Sequence, residues 1–317
     1  MMNEPIMSTL GHHNLKPLLV VIAGPTASGK TGLAIDLALH FHTEILSADS
    51  RQCFRELNIG VAKPTPRQMA MVPHHFINSH SITEKVDAAV FESYGLNVLE
   101  NIFSQRPVAI MAGGTGLYIK ALCEGIDEIP AIPAEIREKV RDLYAAGGLN
   151  ALVEQLHQAD PIYYEEGEIK NPHRVMRALE VCLATGKSIR DHQGRSKPNR
   201  PFRTVYLGMH LPRPTLHERI GERVDNMVQE GLVEEVKALT PFQHLNALQT
   251  VGYKELFEYF DGRTTLEQAI ASIKLHTRQY AKRQVTWLKK LEGLHWKDPN
   301  DKQGIIDLIG RQLTGTT

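Results

Sequence analysis

The chain has 317 residues, enough for one large α/β domain with an added module or for two domains. Its hydrophobic fraction of 42% argues against disorder, and its formal net charge of +0 excludes a protein that is basic throughout but still allows a local basic stripe. No apolar run approaches the ~18 residues of a membrane span. The N-terminal stretch MMNEPIMSTLGHHNLK lacks the apolar core of a signal peptide, and the three cysteines show no CxxC spacing. We therefore expect a cytoplasmic protein without a membrane partner.

The first predicted strand leads into a phosphate-binding loop. LLVVIA is a continuous apolar run typical of a buried parallel strand, and TGLAIDLALHF places Leu33, Leu37 and Phe41 at helical spacing. The octapeptide between them, GPTASGKT, has the spacing G-x-x-x-x-G-K-[ST] and consists of Gly24, Pro25, Thr26, Ala27, Ser28, Gly29, Lys30 and Thr31. This context predicts backbone N–H groups that bind phosphate oxygens, Lys30 as a point charge and the Thr31 hydroxyl as a ligand for Mg²⁺.

The second predicted strand, EILSADS, ends at Asp49. A carboxylate at this position either holds Mg²⁺ or accepts a proton, although Asp-Ser is also a natural turn pair. A Pro-broken loop follows. After it we predict a helix over about 86–103 whose apolar face is formed by Val86, Val90, Tyr94 and Val98.

The third predicted strand, PVAIMA, runs into AGGTG. Because ligands bind outside the carboxyl ends of parallel strands, we expect Thr115 to lie beside the phosphate loop and Asp49. Its hydroxyl either meets a substrate, where glycines allow close approach, or caps the next helix. No acid ends this strand, so the chain lacks the usual residue for activating water on a γ-phosphate.

The sequence changes in character beyond Ile129. IPAIPAEIREKV opens a charged helical stretch that lasts to about Gly186, GRSKPNRPF is a linker, and TVYLGMHL predicts a further core strand. We therefore predict an α/β fold: a P-loop NTPase-like core with a parallel sheet flanked by helices, formed by residues 16–129 and 200–317. Residues 130–199 are predicted to be a helical insertion domain.

Two helical stretches carry basic residues. HERIGERVDNM places Arg219 and Arg223 on successive turns, either as a phosphate clamp or in surface ion pairs. Near the C-terminus a basic run is typical of a solvated helix face, but Tyr280 and Trp287 interleave with it, which leaves nucleic-acid contact as an alternative. The basic side chains of that helical face are Lys274, Arg278, Lys282 and Lys289.

Seven stretches stand in an order that is specific as a set: VIAGPTASGKTGLAIDLA, SADSRQ, IGVAKP, AGGTGLYIKAL, NPHRVMRALEV, VGYKEL and TRQYAKRQVTWL. In this order, from about residue 18 to 296, the chain resembles the bacterial-type tRNA dimethylallyltransferases, also called tRNA isopentenyl transferases. The phosphate loop alone is widespread, so the resemblance depends on the ordered set. The chain departs from the family at Val61 and at Cys53-Phe54, and it has no zinc-finger spacing.

The resemblance implies transfer of a dimethylallyl group from dimethylallyl diphosphate to N6 of the adenosine 3′-adjacent to the anticodon in tRNA. The phosphate loop and Mg²⁺ then hold the diphosphate, and Asp49 is the general base. Thr115 contacts the adenine or the carboxylate, and Arg223 balances charge on the departing diphosphate. The adenosine must flip out of its loop, and the insertion and the late basic helix grip the stem-loop of a monomeric enzyme. The tRNA-binding residues in this interpretation are Asp49, Ser50, Arg51, Gln52, Thr115, Arg137, Arg278 and Lys282.

Three alternatives share the phosphate loop. The first is the same chemistry on free adenine nucleotides, which need neither a helical insertion nor a basic C-terminal helix. The second is an ATP-dependent small-molecule kinase in which Asp49 activates a hydroxyl. The third is an NTP-binding or RNA-binding module without catalysis. None of them accounts for the ordered set of stretches.

Overall fold

A computed structural model of the chain describes residues 15–127, 129–194 and 198–315. The segments that lie outside the described residues include residues 1–14, most of the N-terminal stretch that lacks a signal-peptide core, and residues 195–197 of the predicted linker. The chain divides into two compact units. The core unit is Met1–Glu124 with Asn199–Thr317, and the helical unit is Gly125–Pro198.

The described part of the core unit contains a parallel sheet of six strands in the order β3-β2-β4-β1-β5-β6. All six residues of β1 are buried, as expected of a central parallel strand covered on both faces. The sequence predicted four of the strands and missed the two at the edges, because β3 has two residues and β6 is partly exposed. The strands are β1 (Leu18–Ala23), β2 (Ile45–Ala48), β3 (His74–His75), β4 (Val108–Gly113), β5 (Arg203–Met209) and β6 (Leu294–Lys297).

Helices cover this sheet. The described helices before the helical unit are α1 (Lys30–His40), α2 (Pro66–Met71), α3 (Ala88–Phe103) and α4 (Gly116–Glu124). Those after it are α8 (Arg213–Gln229), α9 (Leu232–Ala238), α10 (Tyr253–Phe260), α11 (Leu266–Leu288) and α12 (Lys302–Thr314). Within the described ranges, no helix combines the length and apolarity needed to cross a membrane.

Helix α3 buries a different face from the one predicted. Its N-cap is Asp87, whose carboxylate accepts the N–H groups of Ala89 and Val90, so the helix begins after Val86. The four predicted residues are only half-buried, and the buried face is Ala88, Phe91, Gly95, Leu99 and Ile102. Apolar residues surround much of this helix, so periodicity alone did not decide which stripe meets the sheet and α4.

The helical unit has its own apolar core. Its helices are α5 (Ala134–Ala159), α6 (Pro161–Glu166) and α7 (Pro172–Thr185), and α7 ends at Gly186 in the left-handed conformation. Buried Asp160 caps α6 through the N–H of Tyr163 and accepts a hydrogen bond from the Ser188 hydroxyl. The fully buried core residues include Leu152, Leu156, Val175, Leu179 and Val181.

Candidate active site

Three strand ends meet at one edge of the sheet. Strand β4 lies between β1 and β2, and its last residue, Gly113, pairs with Ala23 and with Ala48. The phosphate loop therefore starts beside the loop that carries Asp49. The N–H of Thr115 donates to the carbonyl oxygen of Ala48 at 3.1 Å, which joins the second and third loops directly.

The phosphate loop encloses a poorly solvated lysine. Gly29 adopts the left-handed conformation, φ 87°, that starts α1 at Lys30. The Lys30 ammonium donates to the carbonyl oxygen of Pro25 at 2.6 Å. Burial, followed by the charge of Arg223, lowers the pKa of Lys30 to about 7, against the opposing effect of Asp49. A bound anion would restore the charge of this lysine.

A second cation approaches the loop from α8. Arg223 donates through Nη1 to the hydroxyl oxygen of Thr26 at 2.8 Å. Burial lowers the pKa of this guanidinium, and the nearby Asp49 carboxylate partly counteracts the effect. The two enclosed cations, Lys30 and Arg223, have the single carboxylate of Asp49 near them, and this excess of positive charge favours binding of an additional anion.

Asp49 forms a turn and also faces the cations. Its Oδ1 accepts the N–H groups of Arg51 at 2.9 Å and Gln52 at 3.2 Å, as the turn interpretation predicted. Thr115 does not use its hydroxyl for capping: Oγ1 accepts the N–H of Ser50 at 3.1 Å. Tyr280 of α11 lies near Thr115, and the pKa of its hydroxyl is raised to about 12, first by desolvation and then by Asp49.

Gln52 is engaged within the protein. Its amide donates to the carbonyl oxygens of Val61 at 3.2 Å and Ala62 at 3.0 Å, and its Oε1 accepts the Ser47 hydroxyl at 3.1 Å. The predicted contact between Gln52 and tRNA stays a prediction.

The two departures from the family's pattern fall in different environments. Cys53 and Phe54 are buried in the core, directly after the turn formed by Asp49. Val61 lines the cavity described below.

Gln284 of α11 is a site residue that the sequence analysis missed. It is buried, its Oε1 accepts the N–H of Thr26 at 2.9 Å, and its Nε2 donates to the carbonyl oxygen of Gly114 at 3.0 Å. It therefore bridges the loops after β1 and β4. Its signal in the sequence was a polar residue within the apolar stripe of a late helix.

The glycines after β4 make room for α11 rather than for a substrate. A Cβ on Gly114 would lie 2.1 Å from Nε2 of Gln284, and one on Gly116 would lie 2.3 Å from the Trp287 ring. The expectation that these glycines admit the substrate was wrong, because α11 already occupies the space.

A cavity of about 420 Å³ opens at this edge of the sheet. Five predicted site residues line it: Thr26, Asp49, Ser50, Arg51 and Arg223. Its other walls come from residues 60–62, from residues 249–252 and Lys254, and from α11 through Tyr280 and Arg283. This cavity thus brings together the phosphate loop, the carboxylate of Asp49 and the partly exposed ring of Tyr280.

Three predicted tRNA-binding residues lie away from this cavity. Arg278 and Lys282 line a second cavity of about 790 Å³ with Pro25, along a different face of α11 from Tyr280 and Arg283. Arg137 belongs to the helical unit, near the start of α5.

The donor atoms near the loop fit Mg²⁺ only in part. Thr31 lies in the first turn of α1, and hydroxyl and carboxylate oxygens are ligands that Mg²⁺ accepts alongside substrate phosphates and water. Among the described residues, no three His, Cys, Asp or Glu side chains form a metal site by themselves. Mg²⁺ at this edge would therefore depend on diphosphate oxygens for part of its coordination shell.

Comparison with known proteins places the chain in a family. Residues 52–291 match the family described as IPP transferase. The chain belongs to this family. It is 45% identical over 297 residues to the tRNA dimethylallyltransferase of Christiangramia forsetii, covering 93% of this chain and 98% of that protein. Over 296 residues it is 42% identical to tRNA dimethylallyltransferase 1 of Bacteroides thetaiotaomicron, covering 93% and 96%.

Two solved structures extend the likeness of this IPP transferase to the fold. The full-length tRNA isopentenylpyrophosphate transferase of Bacillus halodurans has a TM-score of 0.70 and 33% identity, covering 95% of this chain and 98% of that one. A eukaryotic dimethylallyltransferase, described as acting on tRNA, has a TM-score of 0.81 and 26% identity, covering 95% and 80%. The predicted family and α/β fold class are thereby confirmed.

Proposed function

We propose that this IPP transferase moves a dimethylallyl group from dimethylallyl diphosphate to N6 of the adenosine 3′-adjacent to the anticodon in tRNA, with release of diphosphate. The names of its relatives support the reaction class and the tRNA substrate. The observation that carries the proposal is that Asp49 and Arg223 line one cavity together with Thr26 of the phosphate loop, to which Arg223 donates a hydrogen bond.

The phosphate loop holds the leaving group in this proposal. Backbone N–H groups of residues 24–31 and the start of α1 bind the diphosphate oxygens, as helix N-termini do for anions. Lys30 and Arg223 then neutralise the charge that grows on the diphosphate as its bond to carbon breaks. When bound, Mg²⁺ would add to this neutralisation, held by the Thr31 hydroxyl with help from Asp49.

Asp49 accepts the proton of the acceptor. The exocyclic N6 is a weak nucleophile because its lone pair is delocalised into the ring, so a nearby base helps. N6 forms the new bond to C1 of the allyl group, the C1–O bond breaks, and its electron pair leaves with the diphosphate. One N6 proton passes to the carboxylate of Asp49. Thr115 accepts the N–H of Ser50, the residue after Asp49, and so positions the loop that carries the base.

tRNA binding extends beyond the cavity in this proposal. Arg51 lines the cavity, and Ser50 and Gln52 belong to the same loop. Arg278 and Lys282 on α11 bind phosphates of the anticodon stem-loop, and the helical unit contributes Arg137. Excision of residues 130–199 should lower tRNA affinity without abolishing diphosphate binding. Unchanged tRNA affinity would remove the helical unit from the proposal.

Mass spectrometry of nucleosides tests the reaction. The protein is incubated with unmodified tRNA, Mg²⁺ and dimethylallyl diphosphate, and we expect adenosine to gain one C5H8 unit. Asp49→Asn and Lys30→Met should each lose most of this product. Parallel tubes hold AMP as the only acceptor, or ATP as the only donor. Equal transfer to AMP would favour the free nucleotide as the acceptor, and ADP formation without prenylation would favour a kinase.

Two further proposals have their own tests. Sedimentation tests whether the protein is a monomer, and cell fractionation tests whether it is cytoplasmic.

A further inference from the structure

The cavity wall formed by Gly60, Val61 and Ala62 is held by a carboxylate on a distant helix. Glu235 of α9 accepts three successive backbone N–H groups. Its Oε2 accepts those of Asn58 at 3.2 Å and Ile59 at 2.8 Å, and its Oε1 accepts that of Gly60 at 3.1 Å. Consecutive N–H groups that converge on one anion form a nest, and bonds to a charged acceptor are stronger than neutral ones.

Tyr253 completes this contact from α10. Its hydroxyl donates to Oε1 of Glu235 at 2.6 Å, and its side chain is fully buried. Burial and the neighbouring carboxylate raise the pKa of Tyr253, so the phenol stays protonated and remains a donor. The ring packs closely on the wall, because a Cβ on Gly60 would lie 2.6 Å from it. The wall therefore has one position relative to α9 and α10.

The other side of the wall is joined to the loop that carries Asp49. Gln52 donates to the carbonyl oxygens of Val61 and Ala62, and the N–H of Gln52 donates to Asp49. Ala62 has a φ of 48°, a conformation that alanine adopts only when its surroundings enforce it. The wall is thus bound to α9 on one side and to the turn of Asp49 on the other.

We propose that Glu235 and Tyr253 are positioning residues that fix the Gly60–Ala62 wall, and with it the acceptor base, relative to Asp49. The inference rests on the proposed function. None of the bonds of Glu235 or Tyr253 given above reaches Lys30, Thr26 or Arg223, which bind the diphosphate in that proposal. Substitutions that loosen the wall should therefore weaken the binding of tRNA and leave the binding of dimethylallyl diphosphate unchanged.

Steady-state kinetics with both substrates varied separates these effects. In Glu235→Gln the amide places N–H groups against the backbone donors, and we expect the KM for tRNA to rise on the order of ten-fold. The KM for dimethylallyl diphosphate should stay within about two-fold. Tyr253→Phe keeps the ring and removes one bond, so the same pattern should appear at smaller size. Glu234→Gln, an exposed neighbour on α9, is the matched control and should change neither constant.

The KM for dimethylallyl diphosphate reports whether each variant still folds, because a misfolded protein would bind both substrates less well. An unchanged KM for tRNA in Glu235→Gln, or a parallel rise of both constants in Tyr253→Phe, would overturn the positioning role. A wild-type protein that transfers nothing to tRNA would instead overturn the proposed function.

Discussion

Replacing Lys30 with methionine should stabilise the protein in the absence of ligand. The pKa of Lys30 falls from 10.5 to about 7 on folding, so at neutral pH folding costs the free energy of removing its proton or burying its charge. At pH 7 this cost is about 4 kcal/mol, and the lost bond to Pro25 offsets about 1 kcal/mol of it. We therefore expect Lys30→Met to raise the free energy of unfolding by about 3 kcal/mol in urea titrations.

The pH dependence of this difference identifies its cause. Between the folded and unfolded pKa values the unfolded chain binds more protons, so the Lys30 site makes the wild type more stable as pH rises. The advantage of Lys30→Met should shrink by about 2 kcal/mol between about pH 7.5 and pH 9.5. Lys120→Met, which removes an exposed lysine on α4, controls for the loss of a surface charge.

Inorganic diphosphate gives the opposite test on the same proteins. It should stabilise the wild type, because a bound anion restores the charge of Lys30, and it should stabilise Lys30→Met much less. The reasoning would be refuted if Lys30→Met were no more stable than the wild type at neutral pH, or if the difference in stability did not change with pH. Either result would mean that folding does not lower the pKa of Lys30.

Three further substitutions test how α8 and α11 complete the site. Gln284→Leu leaves the N–H of Thr26 and the carbonyl oxygen of Gly114, both partly buried, without this partner and should lower the free energy of unfolding by about 1–3 kcal/mol, measured by urea titration. Gly116→Ala forces a methyl group against the Trp287 ring and should cost about 1–3 kcal/mol, seen as a lower Tm. Arg223→Lys removes the guanidinium that reaches Thr26 and should raise the KM for dimethylallyl diphosphate about ten-fold, measured by initial rates.

Much of the fold could be predicted because its central elements carry local signals. The apolar run of β1, the phosphate loop and the stripe of α1 each have their own periodicity or motif, and the buried strands β2, β4 and β5 stand out as well. Edge strand β3 has too few residues for a pattern, and β6 is partly exposed. The buried face of α3 depended on its packing partners, which periodicity does not identify.

The candidate site was predictable only on the side built from strand ends. The phosphate-loop motif predicts that Lys30 binds an anion. Asp49 is predicted to lie beside it because the carboxyl ends of parallel strands meet at a common edge. It does not indicate that Gln284 fills the space above Gly114, because the pair is separated by 170 residues. The glycines were assigned to the substrate for the same reason: a missing side chain shows that something comes close, but not what it is.

The late helix α11 completes the site. Gln284 bonds to Thr26 across 258 residues and to Gly114 across 170, and the Trp287 ring occupies the space beside Gly116. Contacts of such long separation carry a loop-closure cost that local contacts do not. Until α11 docks, the N–H of Thr26 lacks this acceptor and Tyr280 is absent from the cavity wall. The anion-binding loop thus carries a local sequence signal, whereas the cavity that would receive the acceptor needs residues from the last third of the chain.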